Sequence, residues 1–137
     1  QNSEIGMGSV GILKEEMTEK YFLKWLGQKL ETNFLRHSPF LNRKIKKVAV
    51  LAGSGGFAIS NAKEINADVL VTADLKYHDF FQAENQIFLV DGGHYETERF
   101  TKKLIHDHLI EKLPNFAIAL SKSITNPVNY FYNGKKK

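Results

Sequence analysis

The sequence predicts an α/β domain in three layers, with a mostly parallel sheet covered by helices on both faces. Short apolar segments recur along the chain, segments of helical periodicity separate them, and glycine, proline or polar residues lie at the joints. Continuously apolar strands are typical of parallel sheets that are buried on both faces. A chain of 137 residues is long enough for one such domain. We expect it to span residues 1–134, followed by a basic tail of three lysines at residues 135–137.

The first third of the chain is predicted to form a strand, a helix and a break. Residues 9–13 (SVGIL) are a short apolar run that indicates a strand. Between residues 18 and 34, large apolar side chains recur at helical spacing. The residue before Pro39 is disfavoured in helical geometry, so the helix is expected to end before this point.

Strands and helices then alternate to near the end of the chain. We predict strands at residues 47–52, 68–73, 87–90 and 116–120, with helices near residues 57–65, 77–83 and 95–113. This alternation places the carboxyl ends of the parallel strands at one edge of the sheet. Open α/β sheets bind their ligands at that edge.

Composition excludes several kinds of function. The sequence has no cysteine, so a transition-metal site must use imidazole and carboxylate ligands. No apolar run reaches the length of a membrane span, and no signal peptide is apparent, so we expect a cytoplasmic protein. The net charge of +4 includes the three terminal lysines. Without aromatic interleaving or a recognition helix, nucleic acid is not an expected partner.

A glycine-rich turn at residues 53–58 matches a relaxed dinucleotide-binding pattern. Gly53, Gly55 and Ala58 have the spacing G-x-G-x-x-A between a strand and a helix, and Asp74 follows about twenty residues later. Tight turns from a strand into a helix favour glycine without any ligand. Because the helix after the turn is short, we expect a structural turn and keep a nucleotide-binding module as the alternative.

The segment VDGGHYETE, residues 90–98, is the best candidate for chemistry. His94 and Glu98 are four residues apart at a helix start, so both side chains can reach one ion, or one each of two adjacent ions. The alternative is a helix start that His94 caps and Glu98 stabilises electrostatically. Asp74 closes the neighbouring strand and His78 begins a helix at the same edge. Both are candidates for ligation, ligand orientation or proton transfer.

Four segments together resemble the C-terminal half of the Nif-three-like family, often labelled GTP cyclohydrolase I type 2 homologs. They are GSGG (53–56), ADVLVTADLKYHDF (67–80), VDGGHYETE (90–98) and TNPVNYF (125–131). The resemblance extends from about Gly6 to Phe131. It implies an α/β fold with a dinuclear site for divalent metal ions such as zinc, manganese or iron. It also implies a homo-oligomer, with a hexamer expected for the full-length protein, and a small-molecule substrate that it does not identify.

The resemblance implies that His94 and Glu98 are metal ligands. The family's other ligands, an adjacent histidine pair and an aspartate, lie in its N-terminal half, and this sequence has no adjacent histidine pair. We therefore expect half of a protein and half of a two-ion site. If the complete site is a hydrolase, Asp74 or His78 is the candidate for proton transfer or ligand orientation. The competing hypotheses are the nucleotide-binding module and a non-catalytic oligomeric scaffold with a structural metal.

Overall fold

The computed structural model describes residues 6–131, 133 and 134, so the predicted basic tail at residues 135–137 lies outside the described residues. The strands are β1 (Ser9–Thr18), β2 (Arg36–His37), β3 (Lys44–Ser54), β4 (Val69–Ala73) and β5 (Phe88–Asp91). The α-helices are α1 (Glu19–Leu30), α2 (Ile59–Glu64), α3 (His94–Glu98) and α4 (Thr101–Lys112). Two 3₁₀ segments, Gly56–Ala58 and Tyr77–Ala83, precede α2 and follow β4. The chain divides into two compact units, the first ending at Arg99 and the second beginning at Phe100; the single domain over residues 1–134 stays a prediction.

The five strands form one sheet in the order β1-β3-β4-β5-β2. The three central strands are parallel, and the edge strands β1 and β2 run antiparallel to β3 and β5. The prediction of an α/β fold around a mostly parallel sheet is confirmed. The sequence did not indicate β2, since two residues are too few to produce an alternating pattern.

Successive side chains of the central strands point to opposite faces of the sheet and fill two separate cores. Leu70 and Leu89, which are paired in register, pack with the α2 residue Ile59 on one face. Val71 and Val90, the next pair, pack with Phe22 of α1 on the other face. This alternation produces the three layers.

The ends of α1 have local causes. The Thr18 hydroxyl accepts a hydrogen bond from the Tyr21 N–H at 3.3 Å and caps the first turn. The helix ends at Leu30, earlier than predicted, because Glu31 adopts a left-handed conformation with φ of 49°.

Two predicted elements near the end of the chain are wrong. The helix predicted for residues 95–113 is two helices, interrupted between Glu98 and Thr101, because apolar periodicity alone does not mark a short break. The strand predicted for residues 116–120 is absent from the described residues, and the Phe116 side chain is 70% exposed. A short apolar run forms a strand only where a neighbouring backbone and a core receive it. No helix in the described part of the chain has the length and apolarity needed to cross a membrane.

The α2 face of the sheet provides a test of core packing. Ile59 is completely buried, whereas Ile65, just beyond α2, is 40% exposed. We expect Ile59→Val to lower the free energy of unfolding by about 0.5–1.5 kcal/mol, because it leaves a methyl-sized gap. Ile65→Val is the matched control and should change it by less than about 0.5 kcal/mol. Urea unfolding followed by circular dichroism measures both, and equal effects would contradict this packing.

Candidate metal centre

The ends of two neighbouring parallel strands bring the candidate residues together. Asp74 follows the last residue of β4 and adopts a left-handed conformation with φ of 56°. After β5, Gly92 and Gly93 lead directly into α3, whose first residue is His94. Gly93 has φ of 87°, a backbone conformation that residues other than glycine rarely adopt. The two strand ends therefore place Asp74 beside the first turn of α3.

The imidazole of His94 lies between two carboxylates. Its Nδ1 is 2.6 Å from Asp74 Oδ2, and its Nε2 is 3.2 Å from Glu98 Oε2. All three side chains are about half exposed to solvent. The spacing of four residues places Glu98 on the same helix face as His94, as the sequence predicted.

The two carboxylates change the protonation of the imidazole. The hydrogen bond that His94 Nδ1 donates to Asp74 raises the pKa of His94 above its ordinary value, and the charges of Asp74 and Glu98 act in the same direction. Since a carboxylate only accepts, Nδ1 must carry the hydrogen that it donates to Asp74. In the neutral imidazole, Nε2 then presents a lone pair towards the Glu98 carboxylate. Two acceptors at this separation are stabilised by a proton or a metal cation between them.

Replacing Asp74 tests the origin of this shift. We expect Asp74→Asn to lower the pKa of His94 towards its ordinary value, because the substitution removes the charge-assisted hydrogen bond and keeps the shape. A titration of the histidine Cε1–H resonances by NMR, without metal, measures the change. The other histidines of the same sample are the internal reference. An unchanged or higher pKa for His94 would show that Asp74 does not cause the shift.

The separation of Nε2 and Oε2 fits two ligands of one ion. Ligand atoms at about 2.0–2.2 Å from a common ion are about 3 Å apart when they are adjacent in its coordination shell. The observed 3.2 Å is close to this separation. Asp74 contacts the opposite ring nitrogen, where an outer carboxylate orients a ligand histidine. No group of three or more metal-binding side chains that could hold an ion occurs in the described residues.

The side chains of α3 lie where three glycines leave space. A methyl group on Gly53 would overlap Glu98 Oε1, one on Gly92 would lie 3.1 Å from Thr97 Cγ2, and one on Gly93 would overlap Glu96 Oε2. The same methyl on Gly53 would lie 3.4 Å from His94 Cε1. These glycines allow the side chains of α3 to pack closely against the strand ends.

In the glycine-rich turn at residues 53–58, protein atoms fill the space beside the glycines. A methyl group on Gly55 would overlap Thr72 Oγ1 and lie 2.7 Å from Leu51 Cδ2. Gly53 adjoins Glu98 and His94, and Asp74, the acidic residue of the dinucleotide pattern, is hydrogen-bonded to His94. These contacts favour the structural interpretation of the turn.

Nucleotide binding at this turn has a direct test. We expect calorimetric titration with NAD, FAD and GTP to show no binding that disappears on Asp74→Ala, because the glycines already contact side chains of the protein. A tight complex with a dinucleotide that Asp74→Ala abolishes would instead support the nucleotide-binding alternative.

His78, the other sequence candidate, makes ring contacts within its own segment. It belongs to the exposed 3₁₀ helix Tyr77–Ala83, where its ring centroid is 5.1 Å from that of Tyr77 and 6.3 Å from that of Phe81. No hydrogen bond or ion pair joins His78 to His94 or Asp74 in the described structure. Of the two sequence candidates, Asp74 is hydrogen-bonded to the imidazole, and no such contact joins His78 to it in the described residues.

The sequence did not single out the side chains that hold this edge together. The Asp91 carboxylate, which is buried, accepts hydrogen bonds from the N–H groups of Leu75 and Gly93 and from the Arg36 guanidinium. It therefore links the segments after β4 and β5 to the edge strand β2. A carboxylate at the end of a buried strand and before two glycines was the available signal, and it was compatible with an ordinary turn residue.

Comparison with known proteins identifies the family. The model of the family Duf34/NIF3 (NGG1p interacting factor 3) matches residues 1–127. The chain belongs to the Duf34/NIF3 family. Among its relatives, the GTP cyclohydrolase 1 type 2 homolog of Bacillus subtilis is 36% identical over 137 residues, covering 93% of this chain and 35% of the relative. The protein of the same name from Campylobacter jejuni is 34% identical, covering 87% of this chain and 47% of the relative.

Two solved structures have the same fold as this chain. A Bacillus cereus protein related to NIF3 has a TM-score of 0.77 and 34% identity, covering 92% of this chain and 36% of that chain. The Staphylococcus aureus protein SA1388 has a TM-score of 0.79 and 29% identity, covering 92% of this chain and 42% of that chain. The resemblance inferred from the sequence is confirmed. The chain spans between about a third and a half of the length of these relatives.

Proposed function

We propose that this Duf34/NIF3 chain supplies half of a dinuclear divalent-metal site, with His94 and Glu98 as its ligands. The observation that carries the proposal is the 3.2 Å separation of His94 Nε2 and Glu98 Oε2, two electron-pair donors that face each other at the open edge of the sheet. Asp74 keeps the hydrogen on Nδ1 and leaves Nε2 directed at the ion position.

Two protein ligands make an incomplete site. Stable sites for zinc and similar ions use three or four protein ligands, or share ligands between two ions. The described residues offer no third ligand in the same group, and the chain spans 35% and 47% of two of its relatives. The missing ligands then belong to the part of the family that this chain does not span, where the resemblance places a histidine pair and an aspartate.

The complete site fits a metal-dependent hydrolase. Two bound ions of zinc, manganese or iron would supply an activated water and stabilise a developing oxyanion. The relatives are named GTP cyclohydrolase 1 type 2 homologs, which agrees with hydrolysis of a nucleotide-like or other small substrate. In this reaction Asp74 orients His94, and His78 is the remaining candidate for proton transfer. A structural metal in a non-catalytic scaffold is the competing proposal, and an ion position open to water distinguishes the enzyme from it.

The complete protein is proposed to be a homo-oligomer, with a hexamer as the expected form. Tyr77 and Phe81 are 72% and 65% exposed and form an edge-to-face ring pair at 5.2 Å, which gives the first unit an apolar surface that an assembly would cover. Light scattering of the full-length protein, with and without metal, measures its size.

The proposal is tested first on this chain alone. We expect weak binding of zinc or manganese, in the millimolar range for two protein ligands, and its loss in His94→Ala and in Glu98→Ala. His108→Ala and Glu111→Ala, both in α4, are the matched controls and should bind as the unchanged chain does. Calorimetry measures the affinities. Tight binding of two ions by this chain, or unchanged binding in both ligand variants, would overturn the half-site.

A further inference from the structure

The peptide group of Gly53 is held on both sides by threonine hydroxyls. The Gly53 N–H donates to Thr97 Oγ1 at 3.0 Å, and the Gly53 carbonyl accepts from Thr72 Oγ1 at 3.1 Å. Thr72 belongs to β4 and Thr97 to α3, so two other elements fix one residue at the end of β3. Gly53 has φ of 68°, which a residue with a side chain rarely adopts.

Thr97 connects the end of β3 to the first turn of α3. Its hydroxyl lies 2.9 Å from the carbonyl oxygen of Gly93 and 3.0 Å from that of His94. A hydroxyl has one hydrogen, which it can share between these two carbonyls, and its oxygen still accepts the N–H of Gly53. Thr97 therefore fixes the distance between Gly53 and the helix turn that carries His94.

The position of Gly53 limits where the Glu98 carboxylate can lie. Glu98 Oε1 occupies the space that a methyl group on Gly53 would need, and the Glu98 Cδ would lie 3.1 Å from such a methyl. The other oxygen, Oε2, faces His94 Nε2 at 3.2 Å. With Gly53 on one side of the carboxylate and His94 on the other, the end of β3 keeps Glu98 directed at the imidazole.

We propose that Thr97 is a positioning residue of the metal half-site, acting on Glu98 through Gly53. The inference rests on the proposed function of His94 and Glu98 as metal ligands. It also gives the glycine turn a role that replaces phosphate binding, because the glycine at residue 53 makes room for a ligand carboxylate. A carboxylate on a flexible side chain gains affinity when it is held in its binding geometry before the ion arrives.

The experiment compares Thr97→Val, which removes the hydroxyl and keeps the shape, with Thr97→Ser, which keeps the hydroxyl. Zinc affinity is measured on this chain from the NMR shift of the His94 ring as zinc is added. We expect Thr97→Val to weaken binding by about 10-fold, as for other residues that support a metal ligand, and Thr97→Ser to restore most of the affinity. Thr101→Val, at the start of α4, is the control for replacing an exposed threonine and should have no effect.

A double-mutant cycle separates positioning from a general structural role. The cycle is measured on this chain joined to the N-terminal part of a Duf34/NIF3 relative, where zinc binding stays measurable without Glu98. If Thr97 acts through Glu98, then Thr97→Val has no further effect on zinc affinity in a joined protein that already carries Glu98→Ala. An equal loss in both backgrounds, or no loss in either, overturns the inference. Thr97→Ala repeats the comparison if Thr97→Val does not fold. If Glu98→Ala alone leaves the affinity unchanged, the proposed function itself fails, which is a distinguishable result.

Discussion

Joining this chain to the N-terminal part of a Duf34/NIF3 relative is expected to raise its zinc affinity on the order of a thousandfold, from the millimolar to the micromolar range or tighter. As the two proposed ligands, His94 and Glu98 would by themselves leave most of the coordination shell to water. The added part is proposed to bring a histidine pair and an aspartate to the same position. Each further protein ligand replaces a water molecule and adds binding free energy, and two ions that share ligands bind together.

Single substitutions in the joined protein identify the ligands. We expect His94→Ala and Glu98→Ala each to lower zinc affinity by more than the roughly 10–100-fold that outer-shell partners contribute. His108→Ala is the control for the loss of a histidine elsewhere. Competition with a chelating dye measures the affinities. Elemental analysis is expected to find two ions per chain in the unchanged protein. If neither ligand variant alters affinity or stoichiometry, VDGGHYETE is only a helix start.

Measuring zinc affinity at several pH values tests whether protons compete with the metal for His94. Nε2 must be free of its proton before it can bind an ion. Because Asp74 and Glu98 raise the pKa of His94, protons compete with metal at higher pH than they would at an ordinary histidine. Zinc affinity is therefore expected to fall as the pH decreases through the raised pKa, beginning above the ordinary value near 6.5. An affinity that is constant from pH 8 to about pH 5 would exclude His94 as a ligand.

Local spacing predicted the part of the site that lies within one helix turn. His94 and Glu98 are four residues apart, and the rule for helix faces was sufficient to place them together. Asp74 was predicted to reach the same edge because parallel strands end there. Its hydrogen bond to His94 depends on the left-handed conformation at Asp74, which a sequence pattern does not specify. His78 satisfied the same pattern, and only the structure separates the two.

Contacts between distant segments account for what the sequence missed. Thr97 and Gly53 are 44 residues apart, and their hydrogen bond follows from the packing of α3 against the end of β3. Neither residue type nor spacing indicates this contact. The opposite error occurred at residues 116–120, where an apolar run predicted a strand although its side chains are largely exposed in the structure. Strand formation there depends on a partner that the local sequence does not contain.

Adding a methyl group at either of two glycines in the glycine-rich turn is expected to affect the protein differently. At Gly55 the methyl would overlap the buried Thr72 Oγ1 and approach Leu51, so we expect Gly55→Ala to lower the free energy of unfolding by about 3 kcal/mol, the upper part of the range for overpacking. At Gly53 the methyl meets the half-exposed Glu98 carboxylate, which can move away. Gly53→Ala should therefore cost only the roughly 1–2 kcal/mol of a left-handed alanine.

For zinc affinity we expect the opposite order, with the larger effect at Gly53 and the smaller effect at Gly55. In the joined protein, Gly53→Ala is expected to reduce zinc affinity as much as Glu98→Ala does, because the carboxylate that moves away from the methyl also moves away from His94 Nε2. Gly55→Ala should lose less zinc affinity than Gly53→Ala at temperatures where the protein stays folded, because its methyl displaces Thr72, which holds Gly53, but meets no ligand atom directly. Gly11→Ala, in β1 with nothing within 4 Å of the added methyl, is the control for both measurements. Urea unfolding and dye competition on the three variants provide the comparison. If Gly53→Ala binds zinc as tightly as Gly11→Ala, Glu98 does not need the space at Gly53 to act as a ligand.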